Sequence, residues 1–494
     1  MASVTERIER TLEREAPVWG VEPVPPAHRH LSGFDIAVLW GDLSVGLLVL
    51  LTGALLVPAL SLPHALAAIL IGSALGCVPL ALVGLAGARE GVPGMVLFRP
   101  VLGLRGSYVP SVLNILQLAG WTGFELWAMS QVAAHISQRL FGFSAPGLWL
   151  TVMAVVCTLL ALGGPIIVVR RWLERFGAWV VAGVALWITI RVLTVSDLGA
   201  LWSRPGTGGL PFWLAVDLVI AQPVSWLPLV ADYTRFARTR AGAAVGTYVG
   251  YAVGNVWFYA LGALLVLGAG LSDASPAGLA QAMASLAGGW IVLLTLLVGE
   301  TDEAFADIYS AAVSAQNLRE RLRQRRAILV VAAVGVVLAV WLNSRGADAT
   351  SSFELFLFLL GSVFVPLFGV FVADYFLLPR STPGTAGENG ESRPAATQRL
   401  RPAAFAAWGV GFLVYQWSVP TGPAGWQSAM QTVFHDWLRL PFPLAGSAAG
   451  ASLPSFTTAL VLYVVLRRLG ARGTRSSRGA GAARSGGAAR GTGA

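Results

Sequence analysis

Gln117, Trp121 and Glu125 recur every fourth residue in an otherwise apolar stretch. On a helix this spacing stacks an amide, an indole and a carboxyl on one face. The set suits a small planar heterocycle. The indole covers the flat face, and the amide and carboxyl pair with edge nitrogens and exocyclic groups. A second set lies between Gly289 and Ala315, where Glu300, Glu303 and Asp307 fall at i, i+3 and i+7 while Thr301 and Asp302 point elsewhere. Hydroxyl and carboxylate oxygens at mid-membrane suit a hard cation such as Na⁺, and protonatable carboxylates suit H⁺ equally. For both sets, a polar contact between helices is the alternative that the sequence leaves open.

The surroundings make these acids informative. The chain has 494 residues, 55% hydrophobic and 12% charged, with mean hydropathy +0.68. Soluble domains carry roughly 25% charged residues, so a polytopic helical membrane protein is expected. A carboxylate at the bilayer centre costs about 2.5–3.5 kcal/mol on insertion scales. It persists where it faces a bundle interior, a cavity or a cation. Asp42 and Asp217 sit in similar apolar settings. The net charge of +9 comes from arginines alone, placed by membrane sidedness rather than by nucleic acid. Cys77 and Cys157 read as buried hydrophobes, and the five histidines show no metal spacing. No phosphate loop or hydrolase motif is present, no cofactor is implied, and no cleavable leader is apparent.

Hydropathy predicts twelve spans, near 34–58, 62–86, 107–136, 148–168, 174–194, 210–231, 247–270, 289–315, 327–343, 353–378, 403–420 and 454–469. They divide the chain into a cytoplasmic N-terminal tail (1–33), a transport core (34–378), a cytoplasmic loop (379–402), two appended spans (403–469) and a disordered basic tail (470–494). Loops on one side hold eighteen arginines, including Arg89, Arg99, Arg105, Arg170, Arg171, Arg175, Arg235, Arg238 and Arg240. Loops on the other side hold five: Arg139, Arg191, Arg204, Arg345 and Arg439. The asymmetry places both termini inside an inner or plasma membrane.

Two spans are interrupted. Span one carries Gly41-Asp42-Leu43-Ser44-Val45-Gly46, and span six carries Gln222-Pro223-Val224-Ser225-Trp226-Leu227-Pro228. Matching breaks five spans apart predict a five-plus-five inverted repeat with its binding site at the breaks. Gln222, Ser225 and Trp226 thereby join Gln117, Trp121, Glu125 and Asp307 as substrate candidates. Gly41, Asp42 and Ser44 join Thr301 and Asp302 as the candidate cation set. Val230-Ala231-Asp232-Tyr233 and Val372-Ala373-Asp374-Tyr375 echo each other at the ends of spans six and ten, and Asp232 with Arg235 has helical i, i+3 spacing.

These motifs resemble the nucleobase–cation symporter family of cytosine, purine, hydantoin and hydroxymethylpyrimidine transporters. The resemblance rests on Gly41 to Gly46 with Thr52-Gly53, on Gln117 with Gly120-Trp121, on Ser225 to Pro228 through Asp232 to Arg235, and on Asp307 to Ala311. The wording of spans three and six is most similar to the hydroxymethylpyrimidine branch, which feeds thiamine synthesis. The resemblance implies the inverted-repeat amino-acid-transporter fold, with Trp121 stacking on the base. It also implies base-edge contacts from Gln117 or Glu125 and from Asp307, where many relatives carry Asn. Thr301 matches one hydroxyl sodium ligand of the family, and Asp302 stands where a second is expected. The family's second stacking aromatic falls near Pro223, and Trp226 lies one turn later. The expectation is therefore a cation-coupled importer of a pyrimidine-type base, hydroxymethylpyrimidine, with a cytosine or purine/hydantoin permease as the alternative. A membrane-embedded enzyme or a channel fits less well. The expected partners are a planar heterocycle, a coupling ion (Na⁺ or H⁺) and lipid, with no nucleic acid and no obligate protein partner.

Overall fold

The computed structural model describes residues 19–163, 178–271, 274–346, 348–378, 400–441 and 450–488, with side chains described up to Gly470. Arg170, Arg171, Arg175, Arg380, Arg393 and Arg399 lie outside the described residues, as do residues 1–18 and most of the predicted 379–402 loop.

The described chain is helical. Span one is a pair, α1 (Gly33–Asp42) and α2 (Leu47–Leu55), bent by 61°. It is followed by α3 (Leu62–Glu90), α4 (Tyr108–Phe141), α5 (Pro146–Gly163) and α6 (Ala178–Val195). Span six is again a pair, α7 (Phe212–Ser225) and α8 (Val230–Thr234). Then come α9 (Arg240–Ala269), α10 (Gly289–Leu318), α11 (Gln324–Arg345), α12 (Asp348–Val372), α13 (Pro402–Ser418) and α14 (Ser452–Ala488). Among the described residues six helices are long and apolar enough to cross a membrane, or eight with each bent pair taken as one. α10 carries its acids at mid-length, and α13 is only 17 residues.

Local signals place the ends. Ser32 and Asp35 form a reciprocal capping box at the start of α1. α3 ends on Gly91 at φ 72°, a left-handed cap open to glycine, whose N–H returns to Gly87. Pro223 lies inside α7 and Pro228 in the turn after it, so the second half of span six cannot continue the first.

The packing repeats itself. α3 and α9 pack together; α3 then packs on span six (α7, α8), while α9 packs on span one (α1, α2). α4 and α10 pack together; α4 then packs on α11, while α10 packs on α5. Spans one to four thus meet the counterparts of what spans six to nine meet, as an inverted repeat requires. Small residues make the contacts close. A Cβ at Gly76 of α3 would lie 2.5 Å from the ring of Pro223, and one at Gly254 of α9 would overlap Ser44. In lipid, where burial gives helices little drive to associate, such close backbone approach is a main source of cohesion.

Four expectations change. The tail 1–33 is ordered from residue 19. It crosses one end of the bundle, with Val24 N donating to Gly91 O and Leu31 pairing in parallel with Ala237. α14 runs on to Ala488, past the predicted end of span twelve at 469. Span three runs on to Phe141 before turning by 120° into α5. Asp217 is a structural cap: Oδ2 accepts from Ala451 N (2.6 Å) and Oδ1 from Ser452 N (3.1 Å), fastening the start of α14 to span six.

The Asp217 cap sets an expected outcome. Asp217→Ala leaves two buried amides without acceptors, at about 1–3 kcal/mol each. The melting temperature of the detergent-purified protein should fall, with Asp217→Asn in between. An unchanged melt for the alanine variant would remove the cap from the account.

Candidate functional site

A break in a membrane helix leaves amides bare at the start of the second half and carbonyls bare at the end of the first. Both breaks are met from spans three and eight. In span one, Leu47 N, the first amide of α2, donates to Glu300 Oε2 of α10 at 2.6 Å. A carboxylate thus sits on the positive pole of a half-helix. Gly46 makes room for it, because a Cβ there would overlap Glu303 and lie 2.8 Å from Glu300 Oε2.

In span six, Pro228 has no N–H, and Leu229 N bonds to Trp226 O rather than to Ser225 O. Gln117 Nε2 of α4 donates to Ser225 O at 2.8 Å and also reaches Asn114 Oδ1 at 2.7 Å. Asn114 Nδ2 in turn donates to Ser314 Oγ of α10 at 2.8 Å. One amide network therefore joins spans three, six and eight.

The predicted cation set divides. Glu303 of α10 lies against Gly46 at the break of span one. Gly41 and Ser44 instead lie against Gly250 and Gly254 of α9. Ser44 Oγ donates to Gly41 O (2.7 Å), and Thr301 Oγ1 donates to Val298 O in its own helix (2.6 Å). Among the described residues no three His, Cys, Asp or Glu side chains converge as a metal cage.

The predicted substrate set is largely brought together. Trp121 is buried edge-on against Phe353 (5.9 Å between ring centroids) and Phe356 (5.2 Å) of α12. Glu125 and Asp307 are each 1% exposed. None of their four oxygens meets an N–H donor among the described residues, and Gln117 Oε1 and Trp121 Nε1 are likewise buried without partners. Gln222 Oε1 is occupied, accepting from Tyr259 OH (2.8 Å) and Thr52 Oγ1 (3.2 Å). Ser225 Oγ turns back to Gln222 O at 2.7 Å. Trp226 packs edge-on against Trp40, whose own neighbours are Tyr233 and Tyr251. Gln222 and Trp226 thus help hold spans one, six and seven, while the unpartnered atoms line spans three and eight. Each orphaned polar group costs about 1–3 kcal/mol. A cluster of them on one face marks a place where a ligand supplies the missing partners.

Sequence spacing missed Asn114 and Ser314, the aromatic backing of Trp121, and the capping by Glu300. Asn114 had a signal, since it lies three residues before Gln117. Glu300 had only Gly46, a helix start with no capping side chain of its own.

The end of the bundle nearest the N-terminus is closed by polar contacts. Asp232 Oδ1 accepts from Gly94 N (2.9 Å). Arg235 donates to the Asp232 backbone carbonyl (3.1 Å) and to Gly20 O (2.7 Å), so it ties the ordered tail to span six. The echo residue Asp374 accepts from Tyr463 OH (2.7 Å) and lies 3.5 Å from Arg401.

Residues 23–431 match the family described as permeases for cytosine/purines, uracil, thiamine and allantoin. Among curated proteins, the hydantoin permease of Microbacterium maritypicum is 24% identical, covering 72% of this chain and 75% of its own. The cytosine permease of Escherichia coli K12 is 25% identical, covering 66% and 73%. The inward-facing structure of Mhp1 superposes with TM-score 0.72 at 18% identity, covering 92% of this chain and 94% of Mhp1. A closed form of Mhp1 with bromovinylhydantoin bound gives 0.71 at 19% identity, covering 92% and 96%.

Gly46 offers a sharp check on the span-one break. Gly46→Ala places a methyl where the carboxyls of Glu300 and Glu303 lie, an overpacking that costs about 1–3 kcal/mol. Thermal stability should drop and transport should fail. Gly425→Ala, with nothing within 4 Å of its new Cβ, should leave both unchanged.

Proposed function

Because the chain belongs to the family of permeases for cytosine/purines, uracil, thiamine and allantoin, we propose that it imports a pyrimidine-type base, coupled to a cation gradient, by alternating access around spans one, three, six and eight. The observation that carries this reading is the set of unpartnered buried groups around Trp121: Gln117 Oε1, Trp121 Nε1 and the carboxyl oxygens of Glu125 and Asp307. A flat ring with polar edges satisfies all of them, and a lipid or an inorganic ion does not.

The finer assignment is an amino-pyrimidine. An exocyclic amine donates hydrogen bonds that a carboxylate accepts strongly. A carboxylate offers no donor to a ring carbonyl, which disfavours uracil-like bases. The motif wording of spans three and six favours hydroxymethylpyrimidine within that class. Cytosine shares the amine, and the cytosine permease relative supports it as the second reading. The acids around the broken span one (Asp42, Asp302 and Glu303) favour coupling to Na⁺ or H⁺. The arginine asymmetry favours a plasma or inner membrane with both termini inside.

Three outcomes are expected in proteoliposomes. Trp121→Ala should weaken base binding by about 1–3 kcal/mol, the value of one stacked base, in protein that still folds; wild-type affinity would remove Trp121 from the site. Concentrative uptake should stop when both Na⁺ and H⁺ gradients are collapsed, and uptake that persists contradicts coupling. Hydroxymethylpyrimidine and cytosine should displace each other more effectively than uracil or hypoxanthine displaces either, and Asp307→Asn should narrow that gap. Equal displacement by uracil would overturn the amino-pyrimidine assignment.

A further inference from the structure

The loop that joins α10 to α11 reads Arg319-Glu320-Arg321-Leu322-Arg323-Gln324-Arg325-Arg326. Its arginines are all exposed. The one acid among them is taken, since Glu320 Oε1 accepts from Arg99 at 3.0 Å. Among the described residues Arg319, Arg321, Arg323 and Arg326 form no ion pair. Like charges this close repel one another unless an outside anion sits among them. The backbone beneath them is fixed. Leu322 N donates to Arg319 O (2.9 Å), Gln316 Nε2 donates to Leu322 O (3.2 Å), and Arg326 N donates to Arg323 O (2.9 Å). Asn317 Nδ2 ties the base of the loop to the start of α4 by donating to Ser107 Oγ (3.1 Å) and Ser111 Oγ (2.9 Å).

α11 shows what lies beside these arginines. Its outer face carries Val330, Val334, Val337 and Trp341, all exposed, with Arg326 at one end and Arg345 at the other. Helix rise puts those two arginines roughly 28 Å apart, close to the roughly 30 Å of a bilayer's hydrocarbon core. Arg345 stacks on Trp341 at 5.5 Å, and tryptophan favours the membrane–water interface. In a membrane the apolar stripe meets acyl chains, so Arg326 and the loop beside it lie at headgroup level. A guanidinium presents a fork of donors that matches phosphate oxygens. We infer that the 319–326 loop is a docking surface for anionic phospholipid headgroups. The lipid carries a net negative charge, as phosphatidylglycerol does; in a zwitterionic lipid the headgroup's own cation competes for the phosphate. The loop is fixed to α4 and α10, so the bound lipid fastens to one leaflet the two helices that carry Gln117, Trp121 and Glu300.

The melting temperature of the full chain, purified and stripped of lipid in a non-ionic detergent, reads this when phosphatidylglycerol or phosphatidylcholine is added back. In the wild type phosphatidylglycerol should stabilise beyond phosphatidylcholine, and molar salt should erase the difference. An arginine near an anionic surface is worth about fivefold in affinity, so the triple variant Arg319→Gln, Arg321→Gln, Arg323→Gln should need roughly a hundredfold more phosphatidylglycerol for the same shift. If the triple variant folds poorly, Arg321→Gln alone should show the single fivefold loss. Arg139→Gln with Arg204→Gln, on exposed arginines of other loops, should respond as the wild type does. Equal stabilisation of the wild type by the two lipids would overturn the proposal. So would a triple variant that keeps the wild-type response, or an equal loss in the Arg139 and Arg204 variant. Inorganic phosphate that stabilises as well as phosphatidylglycerol would make the loop a general anion site and overturn the lipid assignment.

Discussion

Two helices of this chain stop in the middle of the fold, and the polar groups that each stop exposes are met by a side chain from outside its own span. Glu300 covers the first amide of α2, and Gln117 covers the last carbonyl of α7. Bare backbone in a low-dielectric interior is costly, so the breaks exist only because spans three and eight supply these groups. The rest of the site follows from that constraint. Gln117 is fixed by its bond to span six, which sets the register of Trp121 and Glu125 one and two turns later. Glu300 is fixed by span one, which sets Asp307 two turns later on the same helix. The face proposed to meet the ligand is therefore built from the residues that hold the breaks open.

The arrangement is also doubled. Span eight serves span one, and span three serves span six, just as α9 packs on α1 and α2 while α3 packs on α7 and α8. The glycines follow the same rule: Gly72 and Gly76 of α3 admit span six, and Gly250 and Gly254 of α9 admit span one. Close packing of this kind leaves few arrangements between full contact and separation. Discrete alternative packings of the two halves are what alternating access requires.

Much of this was legible in the sequence because it is local. The Gly41–Gly46 and Pro223–Pro228 interruptions break a hydrophobic run in plain view. The spacing of Gln117, Trp121 and Glu125 fixes a helix face whatever the tertiary structure. What was not legible is long-range. Glu300 and Leu47 are 253 residues apart, and Asp217 and Ala451 are 234 apart; periodicity says which face an acid occupies but not which helix end it meets. Ser44 illustrates the same limit: its hydroxyl type suited a cation, but the bend of span one turns it toward α9. The ordered segment from residue 19 was hidden by its Pro-rich, charged composition, which reads as a tail until Arg235 and Gly91 are seen to hold it.

Hydrogen exchange of the wild type against Glu300→Ala and Gln117→Ala tests the central constraint most directly. Exchange should accelerate around residues 43–50 in the first variant and around 222–230 in the second, with the remaining helices unchanged. Uniform acceleration along the chain, or no change at either break, would contradict the claim that spans three and eight hold the two broken helices in place.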